Sequence, residues 1–160
     1  MSARRQRQMC IRDRCEATEV EVRLGEGDDY IDAYFTAVPL VIYGEDGNDE
    51  LEAGFFDDEI YGGKGNDEID GYRGYDFIRG NKGADVIRGG DDADDIHGGN
   101  GADTIEGNGG DDILAGGNGT DTITGGGGSD TIYRRNDSTC DDDGDTINSN
   151  SSDTVDPSCP

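Results

Sequence analysis

From Gly44 to Tyr133 the chain repeats every nine residues without insertion or deletion. A fixed period of this kind overrides residue-by-residue propensity, because each unit must stack on its neighbours to bury anything. Ten nonapeptides start at Gly44, Ala53, Gly62, Gly71, Gly80, Gly89, Gly98, Gly107, Gly116 and Gly125. Position six is Asp in all ten: Asp49, Asp58, Asp67, Asp76, Asp85, Asp94, Asp103, Asp112, Asp121 and Asp130. Position eight is Leu or Ile in all ten: Leu51, Ile60, Ile69, Ile78, Ile87, Ile96, Ile105, Leu114, Ile123 and Ile132. Position one is Gly except at Ala53, and position four is Gly except at Phe56 and Asp92. Asp makes up 28 of the 160 residues, so ten hits in ten fixed slots has a chance of about three in a hundred million on composition alone. A disordered Gly- and Asp-rich polymer does not keep such a register.

Charge sets the next constraint. With 38 acidic against 13 basic side chains the formal charge is -25, and self-repulsion opposes any compact state until cations neutralise it. That balance excludes nucleic acid as a partner. No apolar run is long enough to span a bilayer, and the N-terminus lacks the apolar segment of a secretory signal peptide, so export is expected to use another route.

The cleanest copy, Gly62 to Asp70, reads Gly-Gly-Lys-Gly-Asn-Asp-Glu-Ile-Asp. This pattern, Gly-Gly-x-Gly-x-Asp-x-(Leu/Ile)-x, resembles the RTX (repeats-in-toxin) haemolysin-type calcium-binding nonapeptide over 90 contiguous residues. The resemblance implies an all-β fold, a parallel β-roll (right-handed β-solenoid) in which each nonapeptide makes one turn and one short strand. Two repeats then complete a coil. Leu51, Ile69, Ile87, Ile105 and Ile123 would line one sheet and Ile60, Ile78, Ile96, Leu114 and Ile132 the other. It also implies calcium ions held between turns two repeats apart. Asp49, Asp67, Asp85, Asp103 and Asp121 would then line one edge, with Asp58, Asp76, Asp94, Asp112 and Asp130 on the other. Calcium prefers six to eight oxygen ligands, which carboxylates and backbone carbonyls supply. The turn glycines, among them Gly62, Gly65, Gly80, Gly83, Gly98, Gly101, Gly116 and Gly119, are expected to provide positive φ and close carbonyl approach. About four ions per edge follow if every turn is competent. Two turns are doubtful, Ala53 to Asp58 for its Phe56 and Gly89 to Asp94 for its Asp92.

One apolar residue in nine is a thin core for 90 ordered residues, and side-chain burial of that size does not offset their conformational entropy. The chain is therefore expected to be disordered without metal and to fold on binding millimolar calcium, binding and folding free energy being linked.

The flanks are less regular. Residues 1–19 form a basic, irregular segment whose Met9 to Arg14 stretch resembles a translated transposon end from sequencing-library preparation, which would make it an artefact. Residues 20–43 are expected to be a degenerate repeat and N-terminal cap, with Gly25-Glu-Gly27-Asp-Asp29 an imperfect copy out of phase by two. The run Phe35 to Tyr43 fills the slot of one more repeat, and Pro39 points to an edge strand. Residues 44–133 are the array, and 134–160 a C-terminal cap or tail in which Asp145-Thr-Ile147 and Asp153-Thr-Val155 read as eroded strands. Arg134 to Asp143 reads as a loop. Cys140 and Cys159 either close a loop of about 20 residues worth roughly 3 kcal/mol or stay free thiols.

No catalytic constellation emerges. The single histidine, His97, falls at a solvent-facing position nine, and neither His-Glu-x-x-His nor Gly-x-Ser-x-Gly occurs. The chain reads as a non-enzymatic, secreted, extracellular calcium-binding module with a structural or secretion-linked role. The resemblance equally admits an accessory fragment of a secreted protease, lipase or alginate epimerase, or of a surface adhesin, with an upstream catalytic or adhesive domain in a longer parent. Phe55, Phe56, Tyr72, Tyr75 and Phe77 read either as a binding patch or as packing on the cap. A flat Thr or Asn row for ice is missing, since at positions seven and nine of the repeats Thr recurs only late, at Thr104, Thr122, Thr124 and Thr131.

Overall fold

The structure, a computed structural model, describes residues 19–133, 146–151 and 153–155. The basic N-terminal stretch, the loop expected from Arg134 to Asp143 and all four cysteines lie outside the described residues. Each repeat places β-branched or other outward-facing residues at positions seven and nine around an inward Ile or Leu at position eight. That period of two is what a half-buried strand requires.

In chain order the strands are β1 (Val20–Glu26), β2 (Tyr30–Asp32), β3 (Leu40–Asp46), β4 (Glu50–Glu52), β5 (Glu59–Lys64), β6 (Glu68–Arg73), β7 (Phe77–Lys82) and β8 (Val86–Asp91). They continue as β9 (Asp95–Asn100), β10 (Thr104–Gly109), β11 (Ile113–Asn118), β12 (Thr122–Gly127), β13 (Thr131–Tyr133), β14 (Thr146–Asn148) and β15 (Thr154–Val155). Odd-numbered strands pair in parallel in one sheet and even-numbered strands in the other. The chain thus winds as an all-β parallel roll, crossing between the sheets at every turn.

Register follows the period. Ile60 pairs with Ile78 and Ile78 with Ile96 in the odd sheet, while Ile69 pairs with Ile87 and Ile87 with Ile105 in the even sheet. The two rows face each other as the core, and every position-eight side chain from Leu51 to Ile132 is fully buried. Leu24, Ile31, Val38, Ile147 and Val155 pack partly buried against its ends.

The N-terminal coil departs from the register by two residues. Val20 pairs with Leu40 and Tyr30 with Glu50, each twenty apart. The surplus lies in the 33–39 loop between β2 and β3. Pro39 stands just before β3, where its missing N–H costs no ladder bond, and its carbonyl accepts the Val20 N–H at 3.0 Å. The strand it precedes is interior, so the expected edge position is corrected: β1 and not β3 is the outer strand of that sheet. At the far end the two eroded strands are present as β14 and β15, which pair with β12 and β13.

Candidate metal centre

Turns of the roll gather along two edges. The first edge carries turns leading from odd to even strands (44–49, 62–67, 80–85, 98–103, 116–121), the second those leading back (53–58, 71–76, 89–94, 107–112, 125–130). All ten position-six aspartates are buried, none more than 2% exposed. One carboxylate oxygen of each caps the coil before it. Asp67 Oδ1 accepts the Asp49 N–H at 2.9 Å, Asp85 that of Asp67 at 2.9 Å, and Asp103 that of Asp85 at 2.9 Å. On the second edge Asp76, Asp94 and Asp112 do the same for Asp58, Asp76 and Asp94. Each edge is therefore a ladder of carboxylates one coil apart.

The second oxygen is the informative one. Oδ2 of Asp49, Asp67, Asp76, Asp85, Asp94, Asp103, Asp112 and Asp130 is buried and accepts no hydrogen bond. A buried ionised oxygen without a donor or counter-charge is costly. Burial pushes Asp67, Asp103 and Asp112 up to about 6 and Asp85 and Asp94 to about 7, against the lowering effect of their backbone N–H bonds. Asp76 rises to about 9, burial again leading, with the Asp94 and Asp58 charges adding.

Glycine at position one makes room at this oxygen. A Cβ at Gly62 would collide with Asp67 Oδ2 and meet the Gly80 carbonyl oxygen, and one at Gly80 would collide with Asp85 Oδ2 and meet the Gly98 oxygen. Gly98 and Gly116 stand in the same relation to Asp103 and Asp121. Position one does not take positive φ, so that part of the expectation is corrected. Positive φ belongs to positions two and four, as at Gly63 and Gly65 (123° and 120°). At position four a Cβ on Gly83 would run into the Gly65 oxygen and one on Gly101 into that of Gly83, with Gly119 facing Gly101 likewise. Successive turns thus lay carbonyls over one another beside the unsatisfied carboxylates.

Oxygen is the donor type throughout. Among the described residues no three His, Cys, Asp or Glu side chains gather as a metal cluster, so an ion here would draw much of its shell from carbonyls. That donor set fits a hard divalent cation with high coordination number, not a soft transition metal.

The two doubtful turns behave differently. Asp92 adopts φ 79° in the place of the missing glycine, and Asp94 Oδ2 is unsatisfied like its neighbours. Asp58 differs: its Oδ1 accepts from Leu40 N at 2.7 Å as in the other rungs, but its Oδ2 also accepts, from Gly54 N at 3.2 Å.

Sequence reasoning left out one ladder member. Asp29 Oδ2 is buried without a partner, and the Asp29 N–H donates to Asp49 Oδ1 at 2.8 Å. Gly25 and Gly27 take φ 110° and 100°, the positions-two-and-four signature at the right distance from an Asp. The two-residue offset hid it.

His97 is less exposed than its position implied. Its side chain is 20% exposed and Nδ1 lies 3.0 Å from Asp95 Oδ1, while burial pushes the imidazole pKa down, Arg79 adding to the effect. The expected aromatic patch divides in two. Tyr34 of the 33–39 loop packs on Phe55 and Tyr72 at 4.6 and 5.0 Å between ring centroids. Phe77 lies on the outer face of the odd sheet, 6.1 Å from Tyr61. Among the described residues no helix is long and apolar enough to cross a membrane.

A family model described as the RTX calcium-binding nonapeptide repeat (4 copies) matches residues 43–78, 74–105 and 106–137, together more than half of the chain. No curated protein and no solved structure matches it.

Proposed function

This chain belongs to the RTX calcium-binding nonapeptide repeat family, and we propose that calcium is the cofactor on which it folds, making it a calcium-dependent structural module that works outside the cell. The repeats are calcium-binding and the array is a structural module rather than a catalytic one. The observation that supports calcium-dependent folding is the row of buried Asp Oδ2 atoms without a hydrogen-bond donor, such as those of Asp67, Asp85 and Asp94. Between successive coils an ion would be held by carboxylates such as Asp67 and Asp85, with carbonyls of position-one and position-four glycines such as Gly62, Gly65, Gly80 and Gly83. Bound calcium supplies positive charge that satisfies these oxygens and offsets part of the formal charge of -25. The aspartates then keep their second role of capping the adjacent coil through Oδ1.

Location follows from affinity. Sites of the weak extracellular kind, with dissociation constants of about 0.1 to 1 mM, fill outside a cell and stay empty in the cytosol. A chain of this kind would remain unfolded until exported, which links folding to secretion. Far-ultraviolet circular dichroism in chelator and in millimolar calcium tests the folding claim: a spectrum already β-rich in chelator ends it. Recovery of the protein from culture medium rather than from cells of its source tests the location.

A further inference from the structure

We infer that the turn 53–58 is a cation-free rung closed by the protein itself, so that the line of ions on the second edge starts at turn 71–76. This rests on the calcium reading above and concerns where along the roll it holds.

Backbone geometry separates this turn from the rest of the array. In each of the other nine repeats both position two and position four have positive φ, including non-glycine cases such as Tyr72 (72°) and Asp92 (79°). In the 53–58 turn neither Gly54 nor Phe56 does. Carbonyl direction is set by these angles, so the peptide planes of this turn are oriented differently from those of the other nine, although the Phe56 carbonyl oxygen still lies under Gly74 as position-four carbonyls do elsewhere.

The carboxylate is also already satisfied. Gly54 N–H points at Asp58 Oδ2 (3.2 Å), the oxygen that has no donor in the competent turns. An N–H there places the positive end of a peptide dipole where a cation would have to sit. Ala53 puts a methyl group at the position where an added Cβ elsewhere collides with Oδ2. A protein cover lies over the turn: Tyr34 meets Phe55 tilted and Tyr72 edge-on, while Leu40 N donates to Asp58 Oδ1 at 2.7 Å as the preceding coil does in the other rungs. Asp153, at the other end of the same edge, is closed similarly, its Oδ2 accepting Asn150 N–H at 2.6 Å. The second edge is thus bounded at both ends, among the described residues, by rungs that hydrogen bonds fill.

Counting ions on the full chain tests this, by native mass spectrometry or by equilibrium dialysis with radioactive calcium at saturation. Asp58→Asn should bind as many ions as the parent, whereas Asp94→Asn should bind at least one fewer. The double variant Ala53→Gly with Phe56→Gly, which restores space and positive φ, should bind one more. Loss of an ion in Asp58→Asn, or an unchanged count in the double variant, overturns the inference. A parent that binds no calcium sinks the calcium reading together with it, whereas a calcium-binding parent with an ion lost in Asp58→Asn sinks this inference alone.

Discussion

Asp94 Oδ1 accepts the backbone N–H of Asp76 at 2.9 Å, which fixes two buried carboxylates one coil apart, and the Asp94 charge adds to the burial that raises the Asp76 pKa. Without metal the folded-state values of about 6 to 9 lie above the ordinary 3.8. A group whose folded pKa is raised stabilises the fold fully below its unfolded value and loses that contribution as pH rises through the folded one. The metal-free chain should therefore gain β structure on acidification from about pH 9 to about pH 4, as circular dichroism of a metal-stripped sample would read. With calcium bound the carboxylates are held ionised and the sign of calcium's contribution reverses, so acid should weaken calcium binding and lower the melting temperature of the loaded roll. A metal-free spectrum that loses β content in acid contradicts this.

Replacing one ladder carboxylate removes two interactions. Asp85→Asn weakens the cap on Asp67 N–H and takes away the charge at Oδ2. Loss of a charge-assisted hydrogen bond costs about 1.5 to 3 kcal/mol, so the calcium concentration at half-folding should rise several-fold in a titration followed by circular dichroism.

Glycine substitutions should divide by space rather than by composition. Gly80→Ala would drive a methyl into Asp85 Oδ2 and the Gly98 carbonyl, at a cost expected to exceed about 2 kcal/mol. Gly127→Ala meets only the Asn108 oxygen, at 3.6 Å, without a positive φ. That change should be neutral or stabilise by up to about 1 kcal/mol. Calcium-loaded thermal melts of the two variants check the contrast.

Burial predicts a third contrast between adjacent residues. Ile87 is fully buried between Ile69 and Ile105, so Ile87→Ala should cost about 2 to 5 kcal/mol. Arg88 bridges Glu68 at 2.9 Å and Glu106 at 3.8 Å on the outer face. Exposed pairs contribute about 0 to 1 kcal/mol, and Arg88→Ala should melt within a few degrees of the parent.

What could be read from the residues is whatever the nine-residue period repeats: the Asp ladder, the two Ile and Leu rows and their partition between sheets. Position fixes these, because each coil meets only its immediate neighbours and every interior coil poses the same packing problem. Asp29 escaped this logic, since its 25–29 turn has the right glycine spacing but only the 33–39 loop shows how its offset is absorbed. His97 looked exposed because position nine faces outward, yet its place beside Asp95, across from Arg79, half-buries it.

The order of Asp, Gly and Ile along the chain by itself determined the roll and the family of ion it is built around, because those choices depend on spacing alone. Only the tertiary structure decided that Gly at position one serves space rather than φ, and that Asp58 Oδ2 accepts the Gly54 N–H while Oδ2 of Asp67, Asp76, Asp85 and Asp94 has no donor. Those outcomes depend on which backbone group reaches a carboxylate. No count along the sequence carries that distance.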